Sequence, residues 1–356
     1  MKISQTILLL TLIPALSCKI TPDQLAQALN ERSEPRFSDT QILPVYIATN
    51  RKTQGAARCG DGYFGTALGS QTNYGVCEIG VPKKHSVGAL DQSDDRDPDP
   101  STYFVTGKWR QFSESELGQA LNGQKEILVF VHGFNVKFEE AALRAAQMKY
   151  DLKFPGAVVL FTWPAGADES FFESLRISNT YEGNLRQARA SRAAFSSLIQ
   201  QISGTGARVN VIAHSMGHQV VLPGLAAASG VKLNELILNA PDFATQEFKE
   251  LAPTLTRMAR RITLYCSPGD NALVASEKVN NTQRIGRCSR VSGVDVINVN
   301  EVDAPALGLA GLGHGYYSGR SILTDVYQVL LGMDARNRLF IRVSSEGGGE
   351  DYVLRR

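Results

Sequence analysis

Ser215 stands in the string Ala213-His214-Ser215-Met216-Gly217, between an apolar run (Val209, Val211, Ile212) and a stretch of small residues. A serine hydroxyl is a weak nucleophile until a base takes its proton, and it must be lifted clear of its surroundings to meet a carbonyl carbon. A strand that breaks sharply into a helix achieves this, provided the positions two before and two after the nucleophile are small. Ala213 and Gly217 fill those positions, so the pattern is a GxSxG nucleophile elbow with Ala for its first Gly. At such a turn the Met216 N–H and the helix N-terminus can receive an oxyanion. An ordinary strand–helix turn that contains a serine is the competing reading.

The base must come from five histidines. His214 adjoins the nucleophile and is expected to point into the sheet. His218, three residues on, is badly placed to approach the exposed hydroxyl. His132 ends a strand and braces the next loop, while His85 follows a surface-like Lys-Lys pair. His314, in the Gly-rich loop GLGHGYY after the last core strand, can reach over the top of a sheet and is taken as the base. The orienting acid should end a strand beyond the nucleophile. Asp270 closes RITLYCSPGD and is preferred, and Asp242 closes LILNAPD and is the reserve. Ser215, Asp270, His314 is the chain order of α/β-hydrolases. A second oxyanion donor is expected from Phe134, because Gly133 lets the chain turn after EILVFVHGF; Asn135 either orients that loop or is a plain turn residue. Trp163, Phe243 and Tyr316, with Phe171, Phe172 and Tyr317, lie at or just beyond strand ends, where they either line a substrate pocket or pack in the core.

These residues need a scaffold, and from Lys125 onward the chain alternates strand and helix. Near-continuous apolar strands (EILVFV, AVVLFT, the run before Ser215, ELILN, RITLYC, VDVINV) alternate with amphipathic helices, including one over 183–202 and a last one over 320–332. That rhythm means a mostly parallel sheet covered on both faces, with ligands beyond the carboxyl ends of its strands. The organisation read from it is a signal peptide (1–17), an arm (18–41) whose short helix is capped by Thr21 with Pro22 next, a β-rich extension packed on the core (42–124), the core (125–335) and a tail (336–356) with one edge strand.

HGFNVKFEEAALRAAQ, VVLFTWP, VIAHSMGHQVVLPGL, LILNAPD, RITLYCSPGDNAL and GHGYY, in this order, resemble the α/β-hydrolase family once catalogued as domain of unknown function 900. Upstream, PVYIATNRK and YGVCEIGVPKKH also resemble its N-terminal strands, so the likeness spans roughly residues 43–332. It implies an exported bacterial hydrolase of α/β-hydrolase fold with Ser215, Asp270 and His314 in the triad positions. One departure is Pro223 inside the elbow helix, which is expected to kink it.

Composition narrows the remaining choices. A net charge of +2, with no basic run interleaved with aromatics, argues against nucleic-acid binding. Residues 1–18 combine Lys2, an apolar stretch from Ile7 to Leu16 and small residues before Cys18, the signature of an export signal too short to span a bilayer. Cys18 is expected to carry a lipid anchor in the bacterial envelope or periplasm, a secreted form being the alternative. The other four cysteines are then an even set in an oxidising compartment, with Cys59–Cys77 and Cys266–Cys288 the pairings closest in sequence. No spacing suggests a metal site, and acyl transfer by serine, imidazole and carboxylate needs no cofactor. The expected activity is hydrolysis of small-molecule or lipid carboxylic esters of short or medium acyl length. The same triad serves a phospholipase, amidase, peptidase or acyltransferase, and the fold can also act as a non-catalytic envelope scaffold. Nothing in the chain indicates an oligomeric state.

Overall fold

Strand β4 (Glu126–Val131) is buried along its whole length, and its side chains divide between two cores. Ile127, Val129 and Val131 enter one apolar cluster, and Leu128 and Phe130 enter the other. A strand apolar on both sides must be covered on both sides, which sets a three-layer architecture. The computed structural model describes residues 20–32, 41–93, 95, 97–167, 177–302, 314–344 and 351–355. The expected signal peptide, Cys18, Phe171 and Phe172 lie outside these residues.

Around β4 stand β5 (Ala157–Thr162), β6 (Arg208–His214), β7 (Leu233–Asn239), β8 (Ala259–Cys266) and β9 (Asp295–Asn298), all parallel. The protein therefore has a mostly parallel α/β architecture. On one face lie α2 (Glu114–Leu121), α4 (Ile177–Ala190), α5 (Arg192–Ser203), α6 (His218–Ala227) and α7 (Thr245–Met258). On the other face lie α3 (Phe138–Asp151) and α9 (Arg320–Leu330). The chain moves from β4 to β5 on one side and then crosses back past β4 to β6 on the other, so the strand order reverses between β4 and β6. The crevice beyond the carboxyl ends of two strands at such a reversal is where open α/β sheets bind ligands.

The N-terminal region does not form a separate layer on this sheet. Strand β1 (Gln41–Thr53) runs parallel to β5, and the antiparallel strands β2 (Phe64–Val81) and β3 (Val105–Phe112) continue outward from it. At the other edge the tail contributes β10 (Ile341–Ser344) and also β11 (Asp351–Leu354), which pairs parallel with β9. Eleven strands thus form one sheet among the described residues. Helix α1 (Pro22–Arg32) follows Thr21, whose Oγ1 accepts from Gln24 N at 3.2 Å. It docks by Arg32 on Glu126 (3.4 Å) and on the Leu330 carbonyl (3.3 Å), at the amino ends of the core strands.

The helix read over 183–202 is two helices, α4 and α5. They meet at buried Ser191, whose Oγ donates to the Gln187 carbonyl (2.8 Å) and accepts from Asn50 of β1 (2.9 Å). A serine bonding back onto the preceding turn competes with the helical ladder, and here the partner on β1 holds it there.

The four cysteines form Cys59–Cys77 and Cys266–Cys288, a pattern that fits an oxidising compartment. Among the described residues no helix is long and apolar enough to cross a membrane. Cys59–Cys77 joins positions 18 apart, and closing a loop of that size removes about 3 kcal/mol of unfolded-chain entropy. A Cys59→Ala/Cys77→Ala double variant is expected to keep its far-ultraviolet circular dichroism and to lose about 2–3 kcal/mol in urea denaturation.

Candidate active site

The turn at the end of β6 is held by strained backbone and by two glycines. Ser215 has φ of 51°, a conformation that a side-chain-bearing residue adopts only when its surroundings impose it. The imposing contacts are visible. A Cβ on Gly217 would lie 2.4 Å from the His132 carbonyl oxygen, and one on Gly133 would lie 2.8 Å from Ser215 Cβ. The elbow and the end of β4 therefore interlock at distances that only glycine permits. The Ser215 carbonyl accepts from Asp242 N (3.3 Å) and from His218 Nδ1 (2.7 Å), which fixes the peptide just past the nucleophile.

Above this turn three side chains meet. His314 Nε2 lies 2.7 Å from Ser215 Oγ, and its Nδ1 lies 2.7 Å from Asp270 Oδ2. The other oxygen of Asp270 accepts from Leu273 N at 3.0 Å, so this residue also caps α8 (Asn271–Asn280). Both carboxylate oxygens are thereby fixed, one by the helix and one by the imidazole. The disulfide Cys266–Cys288 braces the same loop: Ser267 N donates to the Gly286 carbonyl (3.0 Å), and Gly286 N donates to the Pro241 carbonyl (3.1 Å).

Asp242, the reserve acid, is engaged elsewhere. Its carboxylate accepts from Tyr181 (2.8 Å) and Ser276 (2.5 Å) and pairs with Arg284 Nε (3.1 Å). Burial and the adjacent carboxylate push the Tyr181 hydroxyl up, so it stays a donor. Tyr181, Ser276 and Arg284 carry no sequence signal for this role, since they are brought together only by the packing of α4 against α8 and the turn after it.

Of the remaining histidines, His132, His214 and His218 are held neutral by burial. His132 Nδ1 donates to the Gly133 carbonyl (3.0 Å), and its Nε2 accepts from Thr162 Oγ1 (2.9 Å), which itself accepts from Arg51 Nε (2.9 Å). Burial and that buried guanidinium hold the His132 value at about 3. Burial takes His218 to about 3 as well. His214 is pushed well down by burial and by His314; its ring stacks on Tyr317 (centroids 3.7 Å apart) and its Nε2 faces the His314 carbonyl at 3.4 Å. His85 is not on the surface as its Lys-Lys neighbours suggest: its side chain is buried against Asp151, 2.6 Å away.

The expected pocket residues fare differently. Trp163, Phe243 and Tyr316 are fully buried in the two apolar clusters, where packing accounts for them, and Trp163 Nε1 donates to the His132 carbonyl at 3.0 Å. Phe134 is half-buried, its ring 5.9 Å from that of Tyr181. Met216, the other expected oxyanion donor, is buried in the 3-10 turn Ser215–Gly217 at the head of α6. Asn135 is exposed with φ of 56°, and its N–H, rather than its side chain, anchors the loop, by donating to Asn184 Oδ1 at 3.1 Å. Pro223 sits within α6 and removes the N–H that the Gln219 carbonyl would accept; Arg192 Nε takes that carbonyl instead, at 2.8 Å.

A family model for α/β hydrolases of unknown function, DUF900, matches residues 110–333, well over half of the chain. The chain belongs to this α/β-hydrolase family. The DUF900 segment holds Ser215, Asp270, His314, Phe134, Met216 and Asp242, while Arg51 lies upstream on β1. No curated protein matches the sequence. Among solved structures the chain is similar to an esterase of Pyrococcus furiosus, at 11% identity and a TM-score of 0.26, over 79% of this chain and 86% of that one.

Two outcomes follow for this DUF900 hydrolase. Gly217→Ala forces a Cβ against the His132 carbonyl and is expected to cost about 1–3 kcal/mol in urea denaturation, the range for overpacking. The second concerns pH. The rings of His132 and His218 have values of about 3 against an ordinary 6.5, so the unfolded chain binds protons that the native state refuses. The stability they carry is complete above about pH 6.5 and is lost as pH falls from there toward 3. Urea midpoints are expected to drop between pH 7.5 and pH 4.5. His218→Asn, which keeps a donor for the Ser215 carbonyl, is expected to flatten that drop.

Proposed function

We propose that the protein is a serine hydrolase of carboxylic esters with short or medium acyl chains. The observation that carries this reading is the unbroken chain Ser215 Oγ, His314 Nε2, His314 Nδ1, Asp270 Oδ2, with both links at 2.7 Å. Ser215 Oγ attacks the ester carbonyl carbon while its proton passes to His314 Nε2. The carbonyl oxygen becomes an oxyanion held by the Phe134 and Met216 N–H groups. Collapse breaks the bond to the alcohol, which leaves with the proton from His314. Water then attacks the acyl-enzyme, again giving its proton to His314, and the acid departs as Ser215 is restored. Asp270 keeps Nδ1 protonated and stabilises the imidazolium throughout.

One feature supports a soluble ester as substrate over a membrane phospholipid. The connection from β5 to α4, residues 163–176, is too short for a large lid.

The test is a panel of soluble esters, amides and phospholipid vesicles, with fluorophosphonate labelling. Wild type is expected to label and to cleave short esters fastest. Ser215→Ala and His314→Ala are expected to abolish turnover, and Asp270→Asn to lower kcat by about ten-thousandfold, as for a buried triad acid elsewhere. Turnover retained by Ser215→Ala, or vesicle phospholipids preferred over soluble esters, would overturn the reading.

A further inference from the structure

A triad works only if the oxyanion donors stand where the negative charge develops, and the Phe134 N–H belongs to a short loop with few anchors of its own. On one side of it Gly133 is pressed against Ser215, where a Cβ would be 2.8 Å from Ser215 Cβ. On the other side Asn135 is exposed, with φ of 56°. The anchor at that second end comes from 49 residues away. Asn184, on α4 and 4% exposed, accepts through Oδ1 from Asn135 N (3.1 Å) and from Gly166 N (3.1 Å). Its Nδ2 donates to the Gly166 carbonyl (3.2 Å) and to the Thr180 carbonyl (3.0 Å).

A carboxamide has two donor hydrogens and two acceptor lone pairs, and all four are used here. The amide lies on Gly166 much as a neighbouring strand would, taking its N–H and giving to its C=O, and the second lone pair remains for Asn135. One turn earlier on the same helix, Tyr181 sets its ring 5.9 Å from that of Phe134. Phe134 is therefore held between two fixed points, the nucleophile's own Cβ and the Asn184 carboxamide, with its ring bounded by Tyr181.

We infer that Asn184 is a positioning residue for the reaction: by holding the N–H of Asn135 it sets the Phe134 N–H at the oxyanion, and so acts on the transition state more than on bound ester. This rests on the serine-hydrolase reading. Deleting a donor from an oxyanion hole lowers kcat about a hundredfold to a thousandfold. Loosening one without deleting it is expected to lower kcat by about ten- to a hundredfold.

The experiment compares wild type, Asn184→Ala, Asn184→Asp and Ser215→Ala with a soluble p-nitrophenyl ester, and measures inhibition by a trifluoromethyl ketone, whose adduct with serine carries the oxyanion. For Asn184→Ala, kcat is expected to fall by at least about tenfold with KM within about twofold, and the ketone's Ki to rise by the same factor as kcat falls. Asn184→Asp keeps both acceptor contacts and loses the two donations, so it is expected to recover most of kcat and of ketone affinity while melting lower than wild type. Wild-type kcat in Asn184→Ala, or a loss carried by KM with Ki unmoved, would overturn the inference. Should Asn184→Ala fail to fold, Asn184→Asp decides alone: kcat near wild type supports the role, and a tenfold loss overturns it. If Ser215→Ala stays active, the hydrolase reading fails together with this one. If Ser215→Ala is dead and Asn184→Ala is fully active, only the role of Asn184 fails.

Discussion

The backbone at Ser215, at φ of 51°, is the point on which the rest of the site depends. A residue with a Cβ does not remain in that region unless neighbouring groups make the alternatives worse. Here the neighbours are the end of β4 and the segment after β7. Gly217 and Gly133 let β4 close onto the elbow from two directions, and the Ser215 carbonyl is bonded from Asp242 N and His218. The strain is thus kept by the same contacts that place the loop at 133–135 beside Ser215. The Ser215 turn and that loop are one packed object, and a change to either backbone is felt by both.

Four histidines lie around this object, and what separates them is the group that each ring nitrogen faces. His132, His214 and His218 each face a backbone carbonyl through one nitrogen, and none has a carboxylate partner among the described residues. Burial then keeps all three neutral, and for His132 the Arg51 guanidinium acts in the same direction. His314 alone among them has a carboxylate on Nδ1 and a hydroxyl on Nε2. A cationic ring is tolerable only where an anion faces it, and of these four only His314 faces one, Asp270. Of the three, His214 supports the His314 loop, its Nε2 facing the His314 carbonyl and its ring stacked on Tyr317.

Much of the architecture was legible because parallel strands buried on both faces leave continuous apolar runs, as in EILVFV and AVVLFT. The order of Ser215, Asp270 and His314 was legible because each ends a strand or follows the last one, and strand ends share one edge of the sheet. What escaped depended on partners distant in sequence. The break at Ser191 needs Asn50, the burial of His85 needs Asp151, and Asn184 reads as one more polar residue on an amphipathic helix until Asn135 and Gly166 are brought to it. Trp163, Phe243 and Tyr316, read as lining a pocket or packing in the core, are buried in the apolar clusters, and an aromatic at a strand end has two ways to be buried, under a ligand or under a neighbouring element. Position along the chain does not distinguish them.

The place of β1 in the sheet bears on where this molecule begins as a physical unit. The family model's match starts at residue 110, yet β1 covers the flank of β5, and Arg51 on it bonds Thr162 and the carbonyls of Val136 and Ala165. A boundary drawn at residue 110 would run through the interior, leaving β5 with a bare edge and the hydroxyl behind His132 without its cation. The segment matched by the family model therefore leaves out β1, the strand that pairs with β5 and carries Arg51.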